Sequence, residues 1–216
     1  MGTIVSGDLL NRCLIVLNDD GTRFPKSPEL LGWLNDGQRE IASLKPSAST
    51  TTQVIKLQAG AAQSLPEGAL ELTRVLNYMG TDGTTPGGVI GFVDQTDLDD
   101  LQPGWQSATA TDEPYEYTVN KDNPKTFFVN PPNTGNGYLK IITAQIPADV
   151  ADTNKVINLG DEYGNALESY VLFKAFSKNA KGGDKAIAAI HQQDFADLLG
   201  IRRKSEVQAE SPGAQS

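Results

Sequence analysis

The sequence predicts an α+β protein: N- and C-terminal helix pairs form a helical layer, and a small β-sandwich or barrel-like insertion separates them along the chain. Near both ends, apolar residues recur every three to four positions, the spacing of an amphipathic helix. From residue 47 to 159, apolar and polar residues alternate as in half-buried strands, and Thr, Val, Ile, Gly and Pro dominate. The length of 216 residues fits one domain of ordinary size or a core with one insertion.

Two helices are predicted in the N-terminal segment. Apolar residues at helical spacing indicate a helix over 6–18, and the turn-forming residues 18–21 end it. The second helix is expected to begin at Ser27-Pro28-Glu29, because Ser27 can cap and proline fits the first helical position. Lys45-Pro46 ends this helix, since proline cannot continue it.

The insertion is expected to hold about six short strands. Alternation and β-branched residues place them at 52–57, 72–79, 89–93, 115–119, 126–129 and 138–144. A helical start over 70–76 is the alternative for the second strand. Residues 130–137 are rich in Asn, Pro and Gly, so the last two strands are predicted to form a hairpin.

Two further helices follow the insertion. Asp161 opens the first, and Lys181-Gly182-Gly183 breaks it. Asp184 can cap the second, which ends at Gly200. We therefore predict a helical domain from residues 1–46 and 160–204, a β-rich insertion over 47–159, and a flexible C-terminal tail over 205–216, which has too few apolar residues to order itself.

Composition excludes several kinds of chemistry. One cysteine, Cys13, cannot form an internal disulfide, and one histidine, His191, leaves too few ligands for a Cys/His zinc site. Cys13 is predicted to be a small buried residue and His191 a half-exposed helix residue. We predict no catalytic, cofactor-binding or metal-binding residue, and no membrane span.

The densest acidic cluster is Asp94, Asp97, Asp99 and Asp100. A cation site is one interpretation, but the spacing of a calcium loop is absent. A solvated loop, with Asp97 capping a short turn, is the interpretation we prefer. Near the C terminus, Arg202-Arg203-Lys204 either complements a helix end or contacts an acidic partner.

The order of several segments resembles the head-to-tail adaptor (connector) proteins of tailed, mainly short-tailed, bacteriophages. The resemblance rests on WLNDGQREIASLKP at 33–46, VIGFVDQTDLDDLQPGW at 89–105, KTFFVNPPN at 125–133, AQIPADV at 144–150 and LGDEYGNALESYVLFKAFSKNAK at 159–181. It covers most of residues 1–200. Asn179 and Thr96 depart from the acidic and basic residues typical of the family.

The resemblance implies a structural virion protein without enzymatic activity. Such adaptors form a homo-oligomeric ring, usually a dodecamer, below the portal, where they join the capsid to the tail and continue the DNA channel. The implied partners are the portal protein and tail or nozzle proteins, with assembly in the host cytoplasm and a final place in the virion neck; genomic DNA passes without specific binding. A tail-tube or tail-completion protein is the alternative, and an accessory hydrolase a distant third.

The C-terminal segment carries the implied contact with the portal. In this family such segments commonly reach into the portal ring, which here assigns docking to Ile201, Arg202, Arg203, Lys204 and Val207. A tail that orders on binding loses entropy but can wrap a partner, and many weak contacts around a ring add up by avidity.

The net charge of −9 is concentrated in the insertion. Residues 47–160 carry 6 basic and 13 acidic side chains, whereas residues 1–46 and 161–204 are nearly neutral. Because gripping nucleic acid requires clustered Lys and Arg, an acidic insertion is expected to let DNA pass without holding it.

Overall fold

The computed structural model describes residues 2–120, 122–178 and 184–200, and it confirms the α+β class. The described residues form two compact units, one within 2–45 and 147–200 and the other within 46–146. The described helices are α1 (Ser6–Leu17), α2 (Leu31–Leu44), α3 (Gln95–Leu101), α4 (Gly164–Lys178) and α5 (Lys185–Leu198). The described strands are β1 (Thr50–Lys56), β2 (Gly60–Ser64), β3 (Ala69–Tyr78), β4 (Gly91–Phe92), β5 (Glu116–Val119), β6 (Thr126–Asn133) and β7 (Tyr138–Gln145).

The helical unit is built from α1, α2, α4 and α5, and each helix buries one apolar face. Its fully buried side chains include Leu9, Leu10, Cys13, Leu30, Leu34, Ile41, Leu167 and Val171. Tyr170 of α4 packs against Phe195 of α5 with ring centroids 5.2 Å apart. Among the described helices of both units, none is long and apolar enough to cross a membrane.

The helix ends follow most of the local predictions. Asp184 caps α5 by accepting hydrogen bonds from the backbone N–H groups of Ala186 and Ile187. Gly200, after the end of α5, has a φ of +69°, a left-handed conformation that favours glycine. At the predicted start of the second helix, Ser27 has the extended backbone of a residue that precedes a helix (φ −129°, ψ 134°). It is the one residue of the π-type turn 26–30 with non-helical dihedral angles, so helical backbone runs from Pro28, the predicted first position, into α2 at Leu31.

The insertion is a sandwich of two sheets. One sheet has the strand order β1-β7-β3, and the other has the order β2-β6-β5-β4. Side chains from both sheets share one core, whose fully buried members include Phe127, Val129, Leu139 and Ile141. The sheets do not close into a barrel.

The predicted hairpin is wrong, because its two strands belong to different sheets. β6 continues through the Asn-Pro-Pro-Asn sequence to Asn133, and the chain then crosses to β7 in the other sheet. The side chain of Asn133 holds this crossing: its Nδ2 donates to the carbonyls of Thr111 and Asp112, and its Oδ1 accepts from the N–H groups of Gly135 and Gly137. Proline-rich residues thus mark a sheet-to-sheet crossover here rather than a turn within one sheet.

Residues 147–159, which are predicted to belong to the insertion, group with the helical unit in the structure. The backbone N–H of Ser6 donates to Lys155 (2.9 Å), that of Gly7 to Thr153 (2.9 Å), and that of Ile157 to Ile4 (3.0 Å). The segment resembles a strand in composition, but its hydrogen-bond partners lie at the start of α1.

Candidate interaction surfaces

The NDGQRE sequence of α2 binds residues 147–159, the segment that follows the insertion. Asn35 Nδ2 donates to the carbonyl of Val150 (3.2 Å), and Asn35 Oδ1 accepts from the Val150 N–H (2.9 Å). Gln38 Nε2 donates to Asn35 Oδ1, and Gln38 Oε1 accepts from the N–H of Asn158 at 2.6 Å. Asn35 and Gln38 are both buried, so they satisfy backbone groups that water cannot reach.

Arg39 continues this contact at the surface. Its guanidinium donates to Asp149 and to Asp36, the latter at 2.7 Å, and both carboxylates are about half exposed. The contact with Asp36 is the main cause that raises the Arg39 pKa above its ordinary value. The motif therefore binds AQIPADV, another of the segments on which the resemblance rests.

The DEYGNAL sequence fastens the N terminus in a similar way. The Asp161 carboxylate accepts from the N–H and hydroxyl of Thr3 (2.6 and 2.7 Å) and from the N–H of Ile4 (3.0 Å). These hydrogen bonds, the one from the Thr3 hydroxyl first, lower the pKa of Asp161. A Cβ at Gly164 would lie 2.6 Å from Ile4 Cδ1, so a side chain at this position would have to displace the end of the Ile4 side chain.

The acidic cluster at 94–100 is used in local structure. Asp94 caps α3 by accepting from the N–H of Thr96, so the prediction that Asp97 is the cap is wrong by one helical turn. Asp99 accepts from the indole N–H of the buried Trp105 at 2.8 Å. Throughout the described residues, no group of three His, Cys, Asp or Glu side chains is arranged to hold a metal ion.

A second acidic group surrounds Tyr78 at one end of the sandwich. Burial is the main cause that raises the Tyr78 pKa, and the carboxylates of Asp112, Glu113 and Asp82 raise it further. Asp82 accepts from the N–H groups of Thr84 and Thr85, which keeps its own pKa low. Residues 46–146 carry 5 basic and 11 acidic side chains, so the acidity predicted for the insertion belongs to this compact unit.

Comparison with known protein families matches residues 6–216 to the family described as SU10 adaptor protein. The chain belongs to the SU10 adaptor protein family. The match covers nearly the whole sequence and confirms the resemblance to phage head-to-tail adaptor proteins. No match is found among individually curated proteins.

The two residues weighed for chemistry have structural places in this adaptor. Cys13 is fully buried in α1, and burial is the main cause that raises its thiol pKa to about 12, which makes it a poor nucleophile. His191 is half-buried and stacks on Phe176 of α4, with centroids 5.6 Å apart and an angle of 8° between the rings. Both positions agree with the structural interpretation made from the sequence.

The predicted portal-docking residues of the adaptor lie outside the described residues. Gly200 is the last residue that the structure describes, and it precedes all five of them: Ile201, Arg202, Arg203, Lys204 and Val207. Two shallow surface grooves occur in the described part of the helical unit, one lined by Leu14, Ile15 and residues 18–20, the other by Asn165, Ser169, Asp194, Asp197 and Leu198.

Sequence reasoning missed the roles of Asn35, Gln38 and Asp161. A signal for the first two was present, because they are polar residues beside Leu34 and Ile41, the apolar positions of α2. Their partners are more than 100 residues away in the chain, so no local pattern could name them.

Proposed function

We propose that this protein is a head-to-tail adaptor that forms a homo-oligomeric ring below the portal of a tailed bacteriophage. Twelve copies, the number usual for such adaptors, is the proposed size of the ring. In this role it joins the capsid to the tail, occupies the virion neck and continues the DNA channel. The observation that carries the proposal is the family match over residues 6–216. Portal and tail or nozzle proteins are the partners that such an adaptor requires.

The way the motif residues are used supports a structural role without enzymatic activity. Asn35, Gln38, Arg39 and Asp161 all fasten one part of the helical unit to another. Polar side chains in a catalytic site instead converge on a space that admits substrate. These contacts instead hold the parts of the helical unit together, which is what a structural component of a ring requires.

The charge of the insertion supports a passive DNA path. Acidic side chains cannot replace the counterions around DNA phosphates, so they add no affinity for the duplex. If the insertion lines the channel, DNA slides past it; if it faces outward, it offers an acidic surface to a tail protein.

The proposal is tested by incubating the full chain with the portal of its phage and imaging the product by cryo-microscopy. We expect a ring of this chain in direct contact with the portal. A ring that sits among tail components away from the portal would favour the tail-tube or tail-completion alternative. Turnover of peptidoglycan by the purified chain would favour the hydrolase.

The portal contact itself is proposed to involve the C-terminal segment, with Ile201, Arg202, Arg203, Lys204 and Val207 as the docking residues. Support comes from its composition: three consecutive basic residues lie beside Ile201, and Val207 is the other large apolar residue of the segment.

A further inference from the structure

The three-stranded sheet β1-β7-β3 is extended at one edge by residues 87–89. Val89 pairs with Asn77 of β3 in an antiparallel bridge. The Tyr78 N–H donates to the Gly88 carbonyl (2.9 Å), and the Gly87 N–H donates to the Tyr78 carbonyl (2.8 Å). Both bonds lie on the same side of the Val89–Asn77 pair, and they place Gly87 and Gly88 opposite Tyr78, which is a bulge in this edge segment. The bond from the Tyr78 N–H to the Gly88 carbonyl is the one that borders a non-hydrogen-bonded antiparallel pair, so the N–H and C=O of Val89 itself point away from β3, toward the outside of the sheet.

The opposite edge of the same sheet is β1, which is regular and exposed. All seven β1 residues pair with β7 without a bulge, whereas the β3–β7 pairing has three register shifts. Gln145 donates to the Ser49 carbonyl and Leu57 donates to the Gly137 carbonyl, so the odd-numbered residues face β7. The even-numbered residues, among them Val54 and Lys56, therefore direct their N–H and C=O groups outward.

The two edges are in register with each other across the sheet. Val54 pairs with Lys140, Lys140 pairs with Asn77, and Asn77 pairs with Val89, so one row of residues runs across the whole sheet. Both ends of the row are exposed valines, Val54 at 41% and Val89 at 76%. The strands alternate in direction from β1 to residues 87–89, so β1 of a further copy placed beside Val89 would continue the antiparallel order.

We propose that β1 of one copy of this chain pairs with residues 87–89 of the next copy, which joins the sheets of neighbouring insertions into one antiparallel sheet. The proposal rests on the ring of the proposed function. Pairing Val54 with Val89 of the neighbour lets the two residues exchange two backbone hydrogen bonds. The same register places Lys56 opposite the neighbour's Gly87.

Charge complementarity supports this register. Glu113 is exposed. Its Oε1 atom lies 3.6 Å from the position that a Cβ would take at Gly87 and 3.1 Å from the corresponding position at Gly88. Lys56 of the incoming strand would therefore meet Glu113. Beyond this pair, residues 46–60 contain no acidic residue and residues 87–101 contain no basic one.

A second copy fits these edges better than an unrelated strand. The two edges are different surfaces on opposite sides of one unit, which is the requirement for a head-to-tail contact that closes into a ring by rotation. An exposed, regular edge strand left unpaired also favours uncontrolled aggregation, and ring closure would cover it.

The contact can be tested by crosslinking the double variant Val54→Cys with Val89→Cys in full-length chains assembled on the portal. Within one chain the two positions are three strand spacings apart, about 14 Å, which is too far for a disulfide. We expect oxidation to give a ladder of covalent oligomers up to the closed ring. Each single variant is the control and is expected to remain monomeric in a denaturing gel, because Cys13 is buried.

The charge pair gives a second test. Lys56→Glu and Glu113→Lys are each expected to weaken ring assembly about tenfold, and the double variant is expected to restore it. The strand contact would be overturned if rings form without a crosslinked ladder, or if the double variant does not restore the assembly lost in the single variants. Neither outcome would contradict the proposal that the adaptor forms a ring. If the wild-type chain does not assemble on the portal at all, the proposed function itself fails.

Discussion

The side chain of Asn35 takes the place of a strand partner for Val150. Its amide accepts from the Val150 N–H and donates to the Val150 carbonyl, as a paired backbone residue would. Both groups are buried, so removal of the amide leaves two polar backbone atoms without hydrogen bonds. One residue of α2 therefore fixes the point at which the chain re-enters the helical unit.

The Asn35→Ala variant is expected to lower the free energy of unfolding by about 2–4 kcal/mol, because it leaves a buried donor and acceptor unsatisfied. Urea denaturation followed by circular dichroism measures this change. Arg39→Ala is the matched control on the same helix, since its ion pairs are exposed and worth less than about 1 kcal/mol. Equal losses in the two variants would contradict the role given to Asn35.

Asp161 provides a pH-dependent contribution to stability. Its folded-state pKa lies below the unfolded value, so the stabilisation is present above the unfolded pKa, about 3.9, and is lost as the pH falls through the folded pKa. Asp161→Ala is therefore expected to lower the urea midpoint at pH 7, and the difference from the wild type should narrow as the pH falls below about 4. Glu162→Ala keeps the Asp161 contacts and is the matched control, with a urea midpoint at pH 7 expected to stay close to that of the wild type. A difference that does not depend on pH would contradict this explanation.

Among the elements, α2 approaches α4 closely at Gly37. A Cβ at this position would lie 2.9 Å from Tyr170 Cδ1 and 3.2 Å from Leu167 Cδ2, which is closer than packed side chains tolerate. Gly32, near the start of the same helix, has no atom within 4 Å of its Cβ position. The two glycines therefore differ in their surroundings while sharing one helix.

We expect Gly37→Ala to destabilise the protein by about 1–3 kcal/mol through overpacking against α4. Gly32→Ala is expected to stabilise it by up to about 1 kcal/mol, because alanine restricts the unfolded chain and favours the helix. Thermal denaturation of the two variants measures the opposite signs. Stabilisation by both substitutions would show that α4 moves away at little cost.

The elements show which parts of the fold the sequence could predict. The capped start of α5 and its glycine end were predicted correctly, because Asp184 and Gly200 act on neighbouring backbone. β2 was missed, since its sequence GAAQS has no β-branched residue and its strand state comes from pairing with β6. The hairpin prediction was wrong for a related reason: the sheet to which a strand belongs depends on distant partners.

For the whole molecule, the tail is expected to contribute to assembly and not to folding. Deletion of residues 201–216 should leave the unfolding midpoint and circular dichroism spectrum unchanged, because every core residue named above precedes it. The same deletion should weaken binding to the portal, measured by co-sedimentation, through loss of the proposed docking residues. Replacement of only Arg202, Arg203 and Lys204 by Ser separates their charge from tail length. Unchanged binding after the deletion would refute portal docking by the tail.

The helical unit consists of two stretches of chain with about a hundred residues between them. During synthesis, α1 and α2 leave the ribosome long before Val150, Asn158 and α4 exist, whereas all strands of the sandwich are available by Gln145. The insertion can therefore complete its core first. Until α4 has been synthesised, the apolar faces of α1 and α2 lack the helix against which they pack. These faces therefore stay exposed until then, and this is the interval in which we expect a chaperone to be needed most.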